Sequence, residues 1–191
     1  MGLFSTIKET ITFHKEMKQL RKDFEKKLLM YRTMTAEELA TLPDDELCMA
    51  VSEKISALVE NFGDEDEDMQ RGLASLSEPQ RVVYVLDYLE REVNNGGLCQ
   101  FFVNSSRNTA PFVSESLGIV TAVMHKELFD DFIADNDIDV CDLTSFIIYD
   151  VDEFAAQCER YPFDAFDEKF YEYGTLEDAL IPYIREHMDA F

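Results

Sequence analysis

Apolar residues recur at intervals of three and four from Met17 to Ile184, and only 7 Gly and 5 Pro interrupt a chain of 191 residues. That spacing lines side chains along one face of an α-helix. A sandwich or barrel of many short strands needs turn residues far more often than this. The chain therefore reads as all-α, a single-domain bundle of several helices. Hydrophobic residues make up 46%, including 15 Phe and 8 Tyr, enough to fill one sizeable core.

The first helix is expected over residues 6 to 32. Met17, Leu20, Phe24, Leu28 and Tyr31 form an apolar stripe, and lysines occupy the other faces. Such a helix can lie on an anionic membrane, pair with a second copy, or fold back on the rest of its own chain. The last two are favoured, because the remainder of the chain is strongly acidic and anionic lipid repels it. Homodimers are accordingly compatible with the sequence, and membrane binding is not expected.

Capping boxes at Thr35 to Glu38 and Ser77 to Gln80 mark two later helix starts, and the acids after Pro43 mark another. Leu47, Val51, Ile55, Leu58 and Phe62 continue one stripe, which Gly63 ends; Asp64 to Asp68 read as a solvated loop. Val82, Leu86, Leu89 and Val93 form the next stripe. Asn108 or Thr109 is a candidate cap for a helix through Leu117, and several short helices follow to Ile184. Only Ser145 to Tyr149 resembles a strand, and it lacks a partner. The four cysteines are widely spaced, with no C-x-x-C, and read as free thiols that fill core space in a reducing, cytoplasmic setting.

Charge divides the chain. Residues 1 to 32 hold eight bases and four acids, net +4, whereas residues 33 to 191 hold 9 bases and 36 acids, net −27. The expected organisation is a basic amphipathic helix within 1–34 and an acidic helical domain over 35–191. Direct nucleic-acid binding is not expected of the domain, because it requires clustered Lys and Arg. The sequence also lacks H-E-x-x-H, a phosphate-cradling glycine loop and G-x-S-x-G, and the acid run at 64–68 fails the calcium-loop spacing. No metal, cofactor or enzymatic activity is expected.

One stretch interleaves amides and a carboxylate with aromatics: Glu92-Val93-Asn94-Asn95-Gly96-Gly97-Leu98-Cys99-Gln100-Phe101-Phe102-Val103-Asn104-Ser105-Ser106. The two glycines permit a turn, and Phe101 and Phe102 suit the core. Glu92, Asn94, Gln100 and Asn104 are suited to satisfying backbone groups at two adjacent helix ends. The alternative role is a small polar pocket with Glu92 as acid or base. The stretch resembles the E-x-N-N-G-G-x-x-Q-F-F-x-N-S signature of the DNA-mimic-protein-like family, a bacterial family. The resemblance runs from about Ser77 to the end, including Phe163, Phe166-Asp167, Phe170-Tyr171, Leu176 and Tyr183-Ile184-Arg185. It is weaker over 35–62 and absent from the first helix.

The resemblance implies an all-helical fold and, for a characterised relative, imitation of duplex DNA by surface carboxylates on the DNA-binding face of a transcription regulator. The expected function is thus an acidic protein-binding module for a basic, DNA-handling partner. The alternative is a toxin-neutralising or scaffold protein whose contact is shape-specific and whose acidity serves solubility. Spread over about 9,000 Å² of surface, a net charge of −23 gives roughly one per 400 Å², some fourfold below DNA. Mimicry therefore requires the acids to gather. The candidates are Asp44, Asp45 and Glu46; Asp64, Glu65, Asp66, Glu67 and Asp68; Asp130, Asp131, Asp135, Asp137 and Asp139; Asp150, Asp152 and Glu153; and Asp164, Asp167 and Glu168.

Overall fold

A computed structural model describes the backbone of residues 2–63 and 66–191, and the side chains from Phe13 onward within those ranges. The described residues form ten α-helices and three short 3₁₀ turns joined by loops, with no strand among them. Ser145 to Tyr149, the one strand-like stretch, instead lies partly in the 3₁₀ turn Thr144–Phe146, whose Phe146 plugs the core.

The bundle is organised around α5, Glu78–Val103. Ser77 and Gln80 cap its start reciprocally, as the capping box predicts. Val82, Leu86, Leu89 and Val93 are essentially inaccessible, and so are Phe101 and Phe102 beyond the kink. Around α5 pack α3 (Asp44–Val59), α6 (Ala110–Ile119), α9 (Phe163–Glu172) and α10 (Glu177–Glu186), with α7 (Val123–Asp135) against α6 and α9. An aromatic chain ties these layers together. Phe102 contacts Phe146 and Phe163, Phe163 contacts Phe132, and Phe132 contacts Phe166, all with ring centroids 5.0–6.3 Å apart.

The N-terminal helix α1 spans Gly2–Tyr31. Its expected stripe is buried only at the end: Tyr31 is fully covered and Leu28 half-buried, while Met17, Leu20 and Phe24 stand exposed. Lys27 pairs with Glu46 at 2.9 Å, the Tyr31 hydroxyl donates to Glu46, and Arg32 pairs with Glu53 and Glu60. The hydrogen bonds to Tyr31 and Glu46 raise the Lys27 pKa above its ordinary value. Fold-back onto the acidic body is therefore confined to the last turns, because every described side chain from Phe13 to Lys26 is exposed.

Two further helices are short. The Thr35–Glu38 capping box opens α2, Ala36–Ala40, as expected. The acid run is not the all-loop segment expected: Asp66, Glu67 and Asp68 form the first turn of α4, Asp66–Ser75, where helix N-termini favour negative charge. Asp64 and Glu65 lie outside the described residues. Neither Asn108 nor Thr109 caps α6 with its side chain; the Asn108 amide donates to Asp66 and to the Ser105 carbonyl instead. Cys48 and Cys99 are buried as core fillers, whereas Cys141 is exposed and Cys158 half-buried.

Candidate functional site

The motif at Glu92 to Ser106 holds the expected glycine break, a kink at which two helical segments meet within α5. Gly96 (φ −163°, ψ 24°) and Gly97 (φ 79°, ψ 175°) leave helical geometry. A break of this kind frees a backbone donor and an acceptor inside the bundle. The amides were expected to meet them, but α9 does. Leu98 N–H donates to the Asp167 carboxylate at 2.9 Å, and the Tyr171 hydroxyl donates to the Val93 carbonyl at 2.7 Å. Asp167 sits so close that a Cβ on Gly97 would lie 2.1 Å from its Oδ2. Burial pushes the Asp167 carboxyl up, the Leu98 N–H pulls it back, and Asp164 adds like charge.

The polar residues of the motif bond to one another across the kink. Glu92 accepts from Gln100 Nε2 at 2.6 Å and from Asn104 Nδ2 at 2.9 Å. Asn94 and Asn95 are exposed and, with Arg91 and Glu92, line a shallow surface dip. Cys99, within the motif, touches Cys158 of α8 (Val151–Arg160) at 3.0 Å between sulfurs. The signature and the closing pattern Phe166 to Tyr171 are thus two halves of one structural unit.

The acids divide into those used by the fold and those left to solvent. The Asn108 amide donates to Asp66 at 2.9 Å and Arg107 Nη2 bridges both of its oxygens at 2.9 and 3.0 Å, which together hold its pKa down. Asp44 pairs with Arg185, Asp68 with Arg71, and Asp130 with Lys126. Glu46 is committed to Lys27 and Tyr31. Glu153 accepts from Tyr149 N–H, Asp139 from Cys141 N–H, and Asp150 caps α8 through Glu153 N–H. Asp45, Glu67, Asp131, Asp135, Asp137 and Asp152 are exposed, and none of them is in an ion pair among the described residues.

Two helices gather exposed acids in rows. On α7, Glu127, Asp131 and Asp135 recur every four residues and line one wall of a groove against α9. On α9, Asp164, Glu168 and Glu172 repeat the same spacing on its outer, exposed face. Four-residue spacing stacks side chains along one helix face with a rise of about 6 Å. The groove between the helices also holds Lys169, a single cation among these acids. Glu127 and Glu172 fell outside the expected set because they stand alone in sequence rather than in runs; their fourfold spacing was the available signal.

A second acidic group joins α3, α5 and α10. Burial raises the Glu177 carboxyl, and the like charges of Glu90, Asp178, Asp87 and Asp45 raise it further. Burial likewise raises the Asp87 carboxyl, against the pull of Arg91. Glu90 is held by the Thr175 hydroxyl and Leu176 N–H ahead of α10. The carboxylates are therefore gathered locally, in two groups on different sets of helices, while the 11385 Å² surface as a whole stays dilute in charge.

No grouping of His, Cys, Asp and Glu suited to a metal ion occurs among the described residues. None of the helices described is long and apolar enough to cross a membrane. Among known proteins, no curated sequence and no solved structure matches the chain. Residues 74–187, more than half the chain, match the family model described as DMP19-like protein, and that stretch contains the α5 kink, α9 and both acid rows. The chain belongs to the DMP19-like family of DNA-mimic-type proteins.

Proposed function

We propose that the chain is a non-enzymatic protein-binding module that presents the α7 and α9 carboxylates, in place of DNA phosphates, to the DNA-binding face of a basic protein such as a transcription regulator. The supporting observation is the pair of rows Glu127, Asp131, Asp135 and Asp164, Glu168, Glu172 on two helices that pack together. Each row supplies one charge per ~6 Å of rise, within a factor of two of the ~3.4 Å per phosphate of a single DNA strand. Family membership supports the same reading. Asp167 and Tyr171 hold α9 on the α5 kink, so the signature fixes the row-bearing helix in place without itself touching the partner.

The test is competition. The immobilised chain should capture basic DNA-binding proteins from a nuclease-treated lysate, and added duplex DNA should release them. A variant with all six row acids changed to amides should capture none while keeping its helical circular dichroism. Capture that is indifferent to duplex DNA and survives in that variant would reject the reading. If capture were instead lost on Tyr149→Ser with Val151→Ser, it would favour the shape-specific alternative, since these two side chains are 88% and 80% exposed at the start of α8.

A further inference from the structure

We infer that the exposed stripe of α1 is a self-association surface, on which the α1 of a second copy docks in antiparallel orientation. The inference is independent of the α7 and α9 rows and concerns a helix outside the family match. Phe13, Met17, Leu20 and Phe24 are 60, 50, 62 and 50% exposed, at spacings of four, three and four. This is the alternation of a two-helix seam. It is also self-complementary when reversed, with Phe13 facing the partner's Phe24 and Met17 facing the partner's Leu20. Residues 13 to 26 span about 21 Å of helix with no tertiary cover, and a lone helix of that length is marginal in water. A second stripe supplies the missing cover.

Charge selects both the occupant and the orientation. The segment 1–32 carries net +4 and the rest of the chain net −27. An antiparallel pair lays each basic helix alongside the acidic body of the other copy and keeps the two bodies at opposite ends. A parallel pair brings both −27 bodies to the same end. The cost is that Glu16 of one helix and Asp23 of the other lie on the same flank, but both are exposed, and Asp23 already accepts from Gln19 at 2.9 Å. Such solvated pairs contribute little. An anionic bilayer is the competing partner for a basic amphipathic helix, and the acidic body disfavours it.

Light scattering on the eluting full-length chain tests this directly. The expected mass at micromolar concentration is twice 22.1 kDa, and Leu20→Glu should halve it while the bundle stays folded, since Leu20 is 62% exposed and outside the core. Orientation is read in a Cys141→Ser background, mixing a Phe13→Cys chain with a Phe24→Cys chain under mild oxidation. The mixture should cross-link at least tenfold more than Phe24→Cys alone. Any of four results overturns the inference: a monomeric wild type, a dimer that survives Leu20→Glu, preferential cross-linking of Phe24→Cys to itself, or Leu20-dependent binding to phosphatidylglycerol vesicles by a chain that is monomeric in solution.

Discussion

Replacing Gly97 with alanine tests whether the family signature is a backbone device locked by α9. At φ 79° and ψ 175°, Gly97 occupies a region that side chains strongly disfavour, at a cost of about 1–3 kcal/mol. The added Cβ would also lie 2.1 Å from Asp167 Oδ2, so the carboxylate must withdraw and release Leu98 N–H, a charge-assisted bond worth roughly 1.5–3 kcal/mol. Together these give about 2.5–6 kcal/mol, which for a domain of this size lowers the melting midpoint by roughly 5–24 °C. Gly174 provides the control: its φ is 86°, but no atom lies within 4 Å of a Cβ there, so Gly174→Ala should lose only the conformational share, about 1 kcal/mol. Urea unfolding of both variants, and of Gly97→Ala in an Asp167→Ala background, separates the two contributions. The clash should vanish in the double variant, leaving a coupling of about 1.5–3 kcal/mol, the value of the bond that both single variants lose. Equal losses for the two glycine variants, or additive losses for Gly97 and Asp167, would refute the mechanism.

Further outcomes follow from the division of the acids. Asp66→Asn should destabilise by about 1–2 kcal/mol, since it removes the carboxylate from a half-buried pair with Arg107, whereas exposed Glu67→Gln should stay within about 0.5 kcal/mol, both read by urea midpoint. Phe102→Ala, fully buried among Phe101, Phe146 and Phe163, should cost about 3–5 kcal/mol by the same assay. Asp87, Asp167 and Glu177 have raised pKa values, so they bind protons more readily folded than unfolded, and the stability they favour is lost as pH rises through those values. Melting scans should therefore show stability increasing as the pH is lowered from neutral toward the ordinary carboxylate range. It should then fall below about 4, as Asp66 and Glu46, whose pKa values are lowered, are finally protonated.

The helices were legible because their signals are local. The Ser77 and Thr35 capping boxes, the acids after Pro43 and the stripe Val82 to Val93 act within a turn or two of chain. What the sequence concealed was the destination of side chains that reach across it. Gln100 and Asn104 looked suited to capping freed backbone groups, yet those groups are met by Asp167 and Tyr171, some seventy residues away. Asp66 looked like one of five equivalent solvated acids, and only Arg107 and Asn108, brought near by the fold, distinguish it from Glu67. The α1 stripe has the spacing of a buried face but is covered only at Tyr31, because nothing in periodicity says where a helix leaves its own domain. The α7 and α9 rows were written at four-residue spacing, but their adjacency depends on α7 and α9 packing together.

Carboxylates that stand in for phosphates must act together and respond to salt as phosphates do. The most direct measurement of that response is the affinity of the chain for a captured basic DNA-binding protein, followed by titration calorimetry as salt rises from about 50 to about 200 mM, for the native chain and the six-amide variant. Phosphate-like carboxylates should give a loss of at least about tenfold over that range for the native chain, and weak, nearly salt-independent binding for the variant. Equal affinities with the same shallow salt dependence would contradict mimicry of phosphate.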